Sequence, residues 1–271
     1  MGCIHAYAAR LMLPVPLEWV PRTHRPMVEP LYTWIAHLHR LARSPDQTPA
    51  ERCTLLEMLA ELDPPGHIPE LHRVQEALLE AGIPDFCLKR IARGWRQLSA
   101  PKAFARFSEL LQVAMDTGYA AVAAFHLMGY PRSRYREALM AYGAARMLTG
   151  LLVQQSQDRA DGFLYVARED ADRFPGSLEL WQDGRDGEPL RRLLWLHLVR
   201  IRELYAEAWT GLRGELENPV RRAFRRAWLE GLDTLIRIEN RGYRFLLEVP
   251  EPFLWDRARL FLQTWMGRTA R

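Results

Sequence analysis

The sequence predicts an all-α fold, and three observations support this prediction. Apolar residues recur at spacings of three and four along most of the chain, as they do on one face of an α-helix. Breaks that contain proline or glycine separate these periodic stretches. No stretch shows a convincing pattern for a ladder of β-strands. We therefore predict a single domain over residues 1–271, built from eight to ten helices that pack helix on helix.

The first half of the chain divides into an irregular segment and four helices. Four prolines in residues 1–26 predict irregular structure there. A helix over residues 27–43 carries an apolar stripe that includes Leu31, Trp34 and Leu38. Thr48, with Glu51 three residues later, is typical of the capping box that begins a helix. Two shorter helices are expected over residues 69–80, followed by Gly82, and over residues 84–97.

Longer helices dominate the second half. The patterns over residues 102–128 and 134–153 contain many small residues, which allow neighbouring helices to approach closely. Residues 148–165 indicate the end of the second of these helices and a following loop, with Gln154 and Asp158 four apart on one helix face. Loop structure is predicted over residues 159–187, and helices over residues 189–216, 219–240 and 252–265.

Composition excludes several classes of protein. The 271 residues are 48% hydrophobic and 26% charged, which suits a folded chain with a substantial core. The formal charge is +4 and nearly all the basic residues are arginines, but no cluster is denser than Arg221–Arg226, so we expect no nucleic-acid partner. Three cysteines without a C-x-x-C spacing indicate a reduced, cytoplasmic chain without disulfides. No apolar run approaches the ~20 residues that span a bilayer.

Short motifs along most of the chain carry a resemblance to the squalene/phytoene synthase family. They are Leu13-Pro14, Arg25, Pro30–Trp34, Gly82-Ile83-Pro84, Phe104 with Phe107 and Leu110-Leu111, His126–Tyr130, Gly162–Phe174, and Ile238-Glu239 with Gly242-Tyr243. The middle of the chain looks most like the bacterial squalene synthase branch of the hopanoid pathway. The resemblance implies an isoprenoid synthase-like helical bundle around a central cavity.

The resemblance also shows where the active site of the family would lie. Enzymes of this family ionise a prenyl diphosphate, and Mg²⁺ held by aspartates on two facing helices neutralises the leaving group. Each helix supplies aspartates at positions i and i+4. At the two positions of the first helix, this chain has His39 and Arg43, with Arg40 beside them. Cationic or neutral side chains have therefore replaced both carboxylates.

The second metal-binding helix of the family is equally altered here. Gly150 stands at the asparagine position, Gln154 at the first aspartate and Gln157 at an intervening acidic position. Only Asp158 matches the family pattern. We expect no metal site and no cofactor, because one carboxylate does not build a site for two or three Mg²⁺ ions. The candidate ligand-binding residues are Arg25, His39, Arg40, Arg43, Gln154, Gln157 and Asp158.

Three hypotheses of function follow from this pattern. In the first, the protein is a catalytically degenerate family member that binds a prenyl diphosphate, another lipid or a partner protein. In the second, it is an active head-to-head prenyltransferase of isoprenoid biosynthesis that uses Mg²⁺ and acts either alone or with a paralogous subunit. In the third, the protein is a purely structural helical domain, and side chains such as Trp34, Phe125 and Leu152 fill the tunnel. The resemblance, the arginines and the tryptophans also suggest peripheral contact with a membrane.

Overall fold

A computed structural model describes residues 2–62, 69–100, 104–159 and 162–243. Within these ranges it contains eleven α-helices. They are α1 (Gly2–Met12), α2 (Arg25–Ala42), α3 (Pro49–Ala60), α4 (Pro69–Glu80), α5 (Asp85–Gln97), α6 (Phe107–Leu127), α7 (Arg132–Asp158), α8 (Arg168–Ala171), α9 (Ser177–Asp183), α10 (Glu188–Leu212) and α11 (Asn218–Asn240). A 3₁₀-helix over Leu17–Trp19 lies between α1 and α2, and the described ranges contain one isolated β-bridge, Phe104 with Ala167. The prediction of an all-α fold is confirmed.

Helices α2 to α5 follow the predicted pattern closely. Leu31, Trp34 and Leu38 are completely buried on one face of α2. Thr48 accepts a hydrogen bond from the backbone N–H of Glu51, whose side chain in turn accepts one from the backbone of Thr48, so the predicted capping box is present. Reciprocal capping satisfies backbone donors that would otherwise lack a partner at the start of a helix.

The N-terminal segment differs from the prediction of irregular structure over residues 1–26. Residues 2–12 contain no proline and form α1, in which Tyr7, Ala8, Leu11 and Met12 make a buried stripe. The prolines that motivated the prediction all follow α1 or begin α2. Their helix-breaking effect is therefore local, and it does not extend to the preceding eleven residues.

The centre of the fold is the packing of α7 against α1, α6 and α10. Gly118 of α6 and Gly143 of α7 allow the closest approach, because a Cβ atom on Gly143 would lie 2.3 Å from the backbone oxygen of Gly118. The predicted role of small residues in these helices is therefore confirmed. Among the described residues, no helix is long and apolar enough to cross a membrane.

Residues 159–187 were predicted to be mostly loop, yet this segment contains α8 and α9. With four and seven residues, these helices are too short to show a helical repeat in the sequence. The carboxylate of Asp170 on α8 is buried, and Arg200 of α10 donates two hydrogen bonds to it at 2.5 and 3.0 Å. The helix predicted over residues 252–265 lies outside the described residues.

The stability of this packing is expected to depend on pH through His197. The side chain is completely buried on α10, and this burial lowers its pKa from 6.5 to about 4, against the opposing effect of Asp170. Since the unfolded chain binds the proton more readily, the contribution of neutral His197 is complete above about pH 6.5 and is lost as the pH falls toward 4. Between about pH 6.5 and 4, the free energy of unfolding of the wild type should fall by about 3 kcal/mol more than that of His197→Gln, as measured by urea unfolding.

A matched control is His72→Gln, which removes an exposed histidine of α4. It should leave the pH dependence of the unfolding free energy as in wild type. Identical pH profiles for wild type and His197→Gln would contradict the prediction.

Candidate functional site

The candidate site lies where α2 meets α7. His39 lies in the last turn of α2 and Arg43 directly follows that helix as its C-cap, while Gln154 and Asp158 are one turn apart on one face of α7. The structure brings all four side chains together. His39 Nε2 lies 3.3 Å from Gln154 Oε1, and Arg43 Nη2 lies 3.1 Å from Asp158 Oδ2. These four residues, with Tyr165, form what we name the interhelical network.

Asp158 is the acceptor at the centre of this network. Its Oδ1 accepts a hydrogen bond from Gln154 Nε2 at 3.2 Å, and its Oδ2 accepts one from the hydroxyl of Tyr165 at 2.5 Å. The side chain of Asp158 is only 4% exposed and that of Arg43 12%. In such a buried setting an ion pair is screened little by solvent, so the guanidinium is an effective counter-charge for this carboxylate.

Arg43 is held on several sides. It donates hydrogen bonds to the backbone oxygen of Leu98 and to the hydroxyl of Tyr165. Its guanidinium carbon lies 4.3 Å from the ring centre of Phe163, within the range of a cation–π interaction. Arg43 therefore joins α2 to the end of α5, to α7 and to the loop that follows α7.

The orientation of Gln154 determines the role of His39. Because the amide nitrogen of Gln154 donates to Asp158, its oxygen is left to face His39, and Nε2 of His39 is therefore the donor. The imidazole also packs against the buried ring of Trp95, with centroids 5.1 Å apart. A chain of hydrogen bonds therefore leads from His39, which donates to Gln154, to Asp158, which accepts from Gln154.

The loop after α7 positions Tyr165. Buried Gln155 donates a hydrogen bond to the backbone oxygen of Phe163 and accepts one from the backbone N–H of Tyr165. Gly162, with φ of +79°, makes the turn that ends the helix. Sequence reasoning did not select Gln155, Phe163, Tyr165 or Trp95 as site residues. Phe163 and Tyr165 belong to the Gly162–Tyr165 motif, so this motif could have indicated both of them. In the sequence analysis it served only as part of the family resemblance.

These side chains do not fit a Mg²⁺ site. Mg²⁺ requires oxygen ligands in near-octahedral geometry, with carboxylates supplying the charge. Of the four positions that face one another, only Asp158 has a carboxylate, and both of its oxygens already accept hydrogen bonds. Among the described residues, no group of three or more His, Cys, Asp or Glu side chains is arranged to hold a metal ion.

Gly150 lies on the same face of α7, at the position where the family resemblance predicts asparagine, and it has no side chain. A Cβ atom on this residue would lie 2.5 Å from Cγ of Met12 and 3.0 Å from the backbone oxygen of Ala8. The position where the family resemblance predicts asparagine is therefore covered by α1. A glycine is required there because any side chain would collide with that helix.

The other predicted site residues lie outside the network. Arg25 donates hydrogen bonds to the backbone oxygens of Val20 and Glu18 at the start of α2, about 21 Å along the helix axis from His39. Arg40 is exposed, and one of its guanidinium nitrogens lies 3.5 Å from Nδ1 of His37. Gln157 belongs to α7, but its side chain lies outside the described part of the structure.

An apolar cavity of about 570 Å³ adjoins the network. It lies between α1, the 3₁₀-helix, α2 and Trp95 of α5, and its lining includes Arg10, His39 and Arg40. Its volume is in the range of small-molecule sites. Trp34, Phe125 and Leu152 are fully or almost fully buried, and none of the three lines this cavity.

Taken together, the helical bundle and the paired i, i+4 positions on facing helices define a protein of the isoprenoid synthase type. The family model for squalene/phytoene synthase matches residues 14–265, and the chain belongs to this family. A crystal structure of a dehydrosqualene synthase in complex with ligand is similar, with a TM-score of 0.79 and 15% identity over 97% of this chain and 96% of that one.

A second similar structure is squalene synthase HpnC from Alicyclobacillus acidocaldarius, with a TM-score of 0.66 and 19% identity over 83% of this chain and 86% of that one. A search of curated protein sequences found no match. At these identities the two structures establish the shared fold, and they leave the chemistry of the site to be argued from the side chains of this chain.

Proposed function

We propose that this protein is a catalytically degenerate member of the squalene/phytoene synthase family that binds a prenyl or related lipid ligand without Mg²⁺. The observation that carries the proposal is the ion pair between Arg43 and Asp158. In the family, bridging metal ions neutralise the carboxylates of two facing helices. Here a guanidinium of the protein neutralises the surviving carboxylate, and the two helices are joined directly.

The other substitutions at the site support the same interpretation. His39 and Gln154 complete a hydrogen-bonded chain to Asp158, so they satisfy one another as a set. Gly150 makes room for α1 at the asparagine position. If the carboxylates at positions 39, 43 and 154 had been replaced without regard to one another, buried polar atoms would lack hydrogen-bond partners. Each such group would lower the stability of the fold by about 1–3 kcal/mol. The side chains at these positions instead contact one another or Asp158 directly, which supports a role for the site other than metal binding.

The cavity favours a lipid over a partner protein as the ligand. Its lining is mainly apolar, which suits a hydrocarbon chain. His39 and Arg40 at the lining would favour a ligand that also carries an anionic group, because arginine binds phosphates through a forked geometry. Arg10, by contrast, is already paired with Glu18 and Glu230. A prenyl diphosphate combines both properties, and its charge would then be met by protein cations in the absence of Mg²⁺.

The proposal is tested by calorimetric titration of the purified protein with farnesyl diphosphate, in EDTA and in Mg²⁺. We expect binding of similar affinity under both conditions and no release of pyrophosphate. Ala36→Trp, at an exposed residue that lines the cavity, should weaken binding about tenfold or more by filling the apolar space. Thr33→Trp is the matched control, since Thr33 is exposed on the same helix and does not line the cavity.

The alternative function is that of an active head-to-head prenyltransferase. Incubation of the protein with radiolabelled farnesyl or geranylgeranyl diphosphate and Mg²⁺, alone and with a paralogous subunit, distinguishes the two. Turnover that Asp158→Asn abolishes would establish the alternative. Binding that requires Mg²⁺ would also overturn the proposal.

A further inference from the structure

A second recess on the surface is rich in arginines. It has a volume of about 420 Å³ and lies where the segment after the 3₁₀-helix meets the start of α11. Four arginines line it, namely Arg22, Arg25, Arg222 and Arg226, together with Trp19. We name it the arginine recess. None of these arginines belongs to the interhelical network.

Carboxylates of the described residues compensate little of the charge of Arg22, Arg25 and Arg222. Arg22 and Arg222 are exposed, and neither forms an ion pair with a carboxylate in the described part of the chain. Arg25 is held by two neutral backbone oxygens, which orient its guanidinium without cancelling its charge. Glu18 is the one acidic residue of the described lining, and it is paired with Arg10. Placing several like charges together is unfavourable unless an anion binds among them.

The architecture around the recess adds to this potential. Arg25 begins α2, and Pro219 lies in the first turn of α11, so the positive ends of two helix dipoles lie at the recess. Trp19 forms a firm wall, because the guanidinium carbons of Arg10 and Arg226 lie 4.5 and 4.3 Å from its ring centre. Cationic side chains held in place lose less entropy when they bind an anion.

We propose that the arginine recess binds a phosphate group, and that the phosphate belongs to the headgroup of an anionic phospholipid. Guanidinium groups bind phosphate oxygens bidentately, and Arg22, Arg25 and Arg222 together suit a group with more than one negative charge. The lipid source is favoured by two features. Met27, two residues after Arg25, exposes 51% of its surface, and Glu18 lines both this recess and the apolar cavity. The recess therefore combines cationic and apolar surface at one face of the molecule.

The test is co-sedimentation of the full chain with vesicles of phosphatidylcholine alone or of phosphatidylcholine with phosphatidic acid. A parallel calorimetric titration uses inorganic pyrophosphate. We expect the protein to bind vesicles that contain phosphatidic acid and not vesicles of phosphatidylcholine alone. Added salt should weaken this binding, and R22A/R222A should reduce it about tenfold or more. Both of these arginines are exposed, so the double variant should remain folded.

The matched control is R73A/R213A, which removes two exposed arginines of α4 and of the segment that follows α10 and changes the net charge equally. It should bind anionic vesicles as wild type does. Binding of pyrophosphate but not of vesicles, lost in R22A/R222A alone, would support the recess and assign the phosphate to a soluble molecule. Equal losses in both double variants, or no binding of either probe by wild type, would overturn the proposal. Because Ala36→Trp leaves the recess intact, its vesicle binding should be unchanged even if lipid binding in the cavity fails.

Discussion

Arg146→Ala is expected to destabilise the protein by about 3–5 kcal/mol, the range found when one partner of a buried ion pair is removed. The side chain of Arg146 is completely buried on α7, and one guanidinium nitrogen lies 3.2 Å from Glu230 of α11. The guanidinium also donates to the backbone oxygens of Arg10, Leu13 and Ala227. The substitution would remove one partner of the buried carboxylate of Glu230. It would also remove a hydrogen-bond donor from each of the three carbonyl oxygens.

The effect should extend to the N-terminal helix. Arg10 belongs to the last turn of α1 and Leu13 follows the helix, so Arg146 holds the end of α1 by donating to the carbonyl oxygens of both residues. The same helix forms one wall of the apolar cavity. We therefore expect ligand binding in the cavity to weaken together with stability.

The measurement is equilibrium unfolding in urea, followed by circular dichroism. Arg146→Lys should fall between wild type and Arg146→Ala, because lysine keeps the charge but does not bond several acceptors in a fork. Arg213→Ala, at an exposed arginine, should change the unfolding free energy by no more than about 0.5 kcal/mol. A loss below about 1 kcal/mol for Arg146→Ala would show that the ion pair contributes little.

The fold was predictable from the sequence wherever a local signal was strong. The apolar stripe of α2 and the capping box formed by Thr48 and Glu51 depend on residues within a few positions of one another. Helix α1 was missed because its burial depends on α7, which is more than a hundred residues away in the sequence and supplies Gly150 as a contact surface. Helices α8 and α9 are stabilised by tertiary contacts such as that of Asp170 with Arg200.

The candidate site was predictable in part. Helical spacing placed Gln154 with Asp158 on one helix face, and the family resemblance paired His39 with Arg43. That Arg43 would contact Asp158 could not be read from spacing, because it depends on the separation and rotation of α2 against α7. Tyr165 lies beyond the end of α7, and its position depends on the hydrogen bonds of Gln155. Arg25 was grouped with the site by resemblance, yet its helix places it near the opposite end of α2.

Restoring carboxylates to the interhelical network is expected to create a Mg²⁺ site. The variant H39D/R43D/Q154D would place four carboxylates, including Asp158, at the positions where α2 and α7 face each other. Without metal, their mutual repulsion and the loss of the ion pair of Arg43 should make this variant less stable than wild type. Mg²⁺ at about 100 times its dissociation constant would add about 2.7 kcal/mol, which corresponds to a rise in Tm of about 5–10 °C.

Thermal unfolding with Mg²⁺ and with EDTA measures this effect. Wild type should show no Mg²⁺-dependent rise in Tm, and neither should H39N/R43Q/Q154N, which also removes the ion pair but adds no carboxylate. An equal rise in wild type would contradict the conclusion that its side chains do not fit the metal. Even with Mg²⁺ bound, we expect no prenyl transfer by the restored variant, because α1 still covers α7 at Gly150. Recovery of metal binding without turnover would support the interpretation that the position of α1 at Gly150, as well as the missing carboxylates, opposes prenyl transfer.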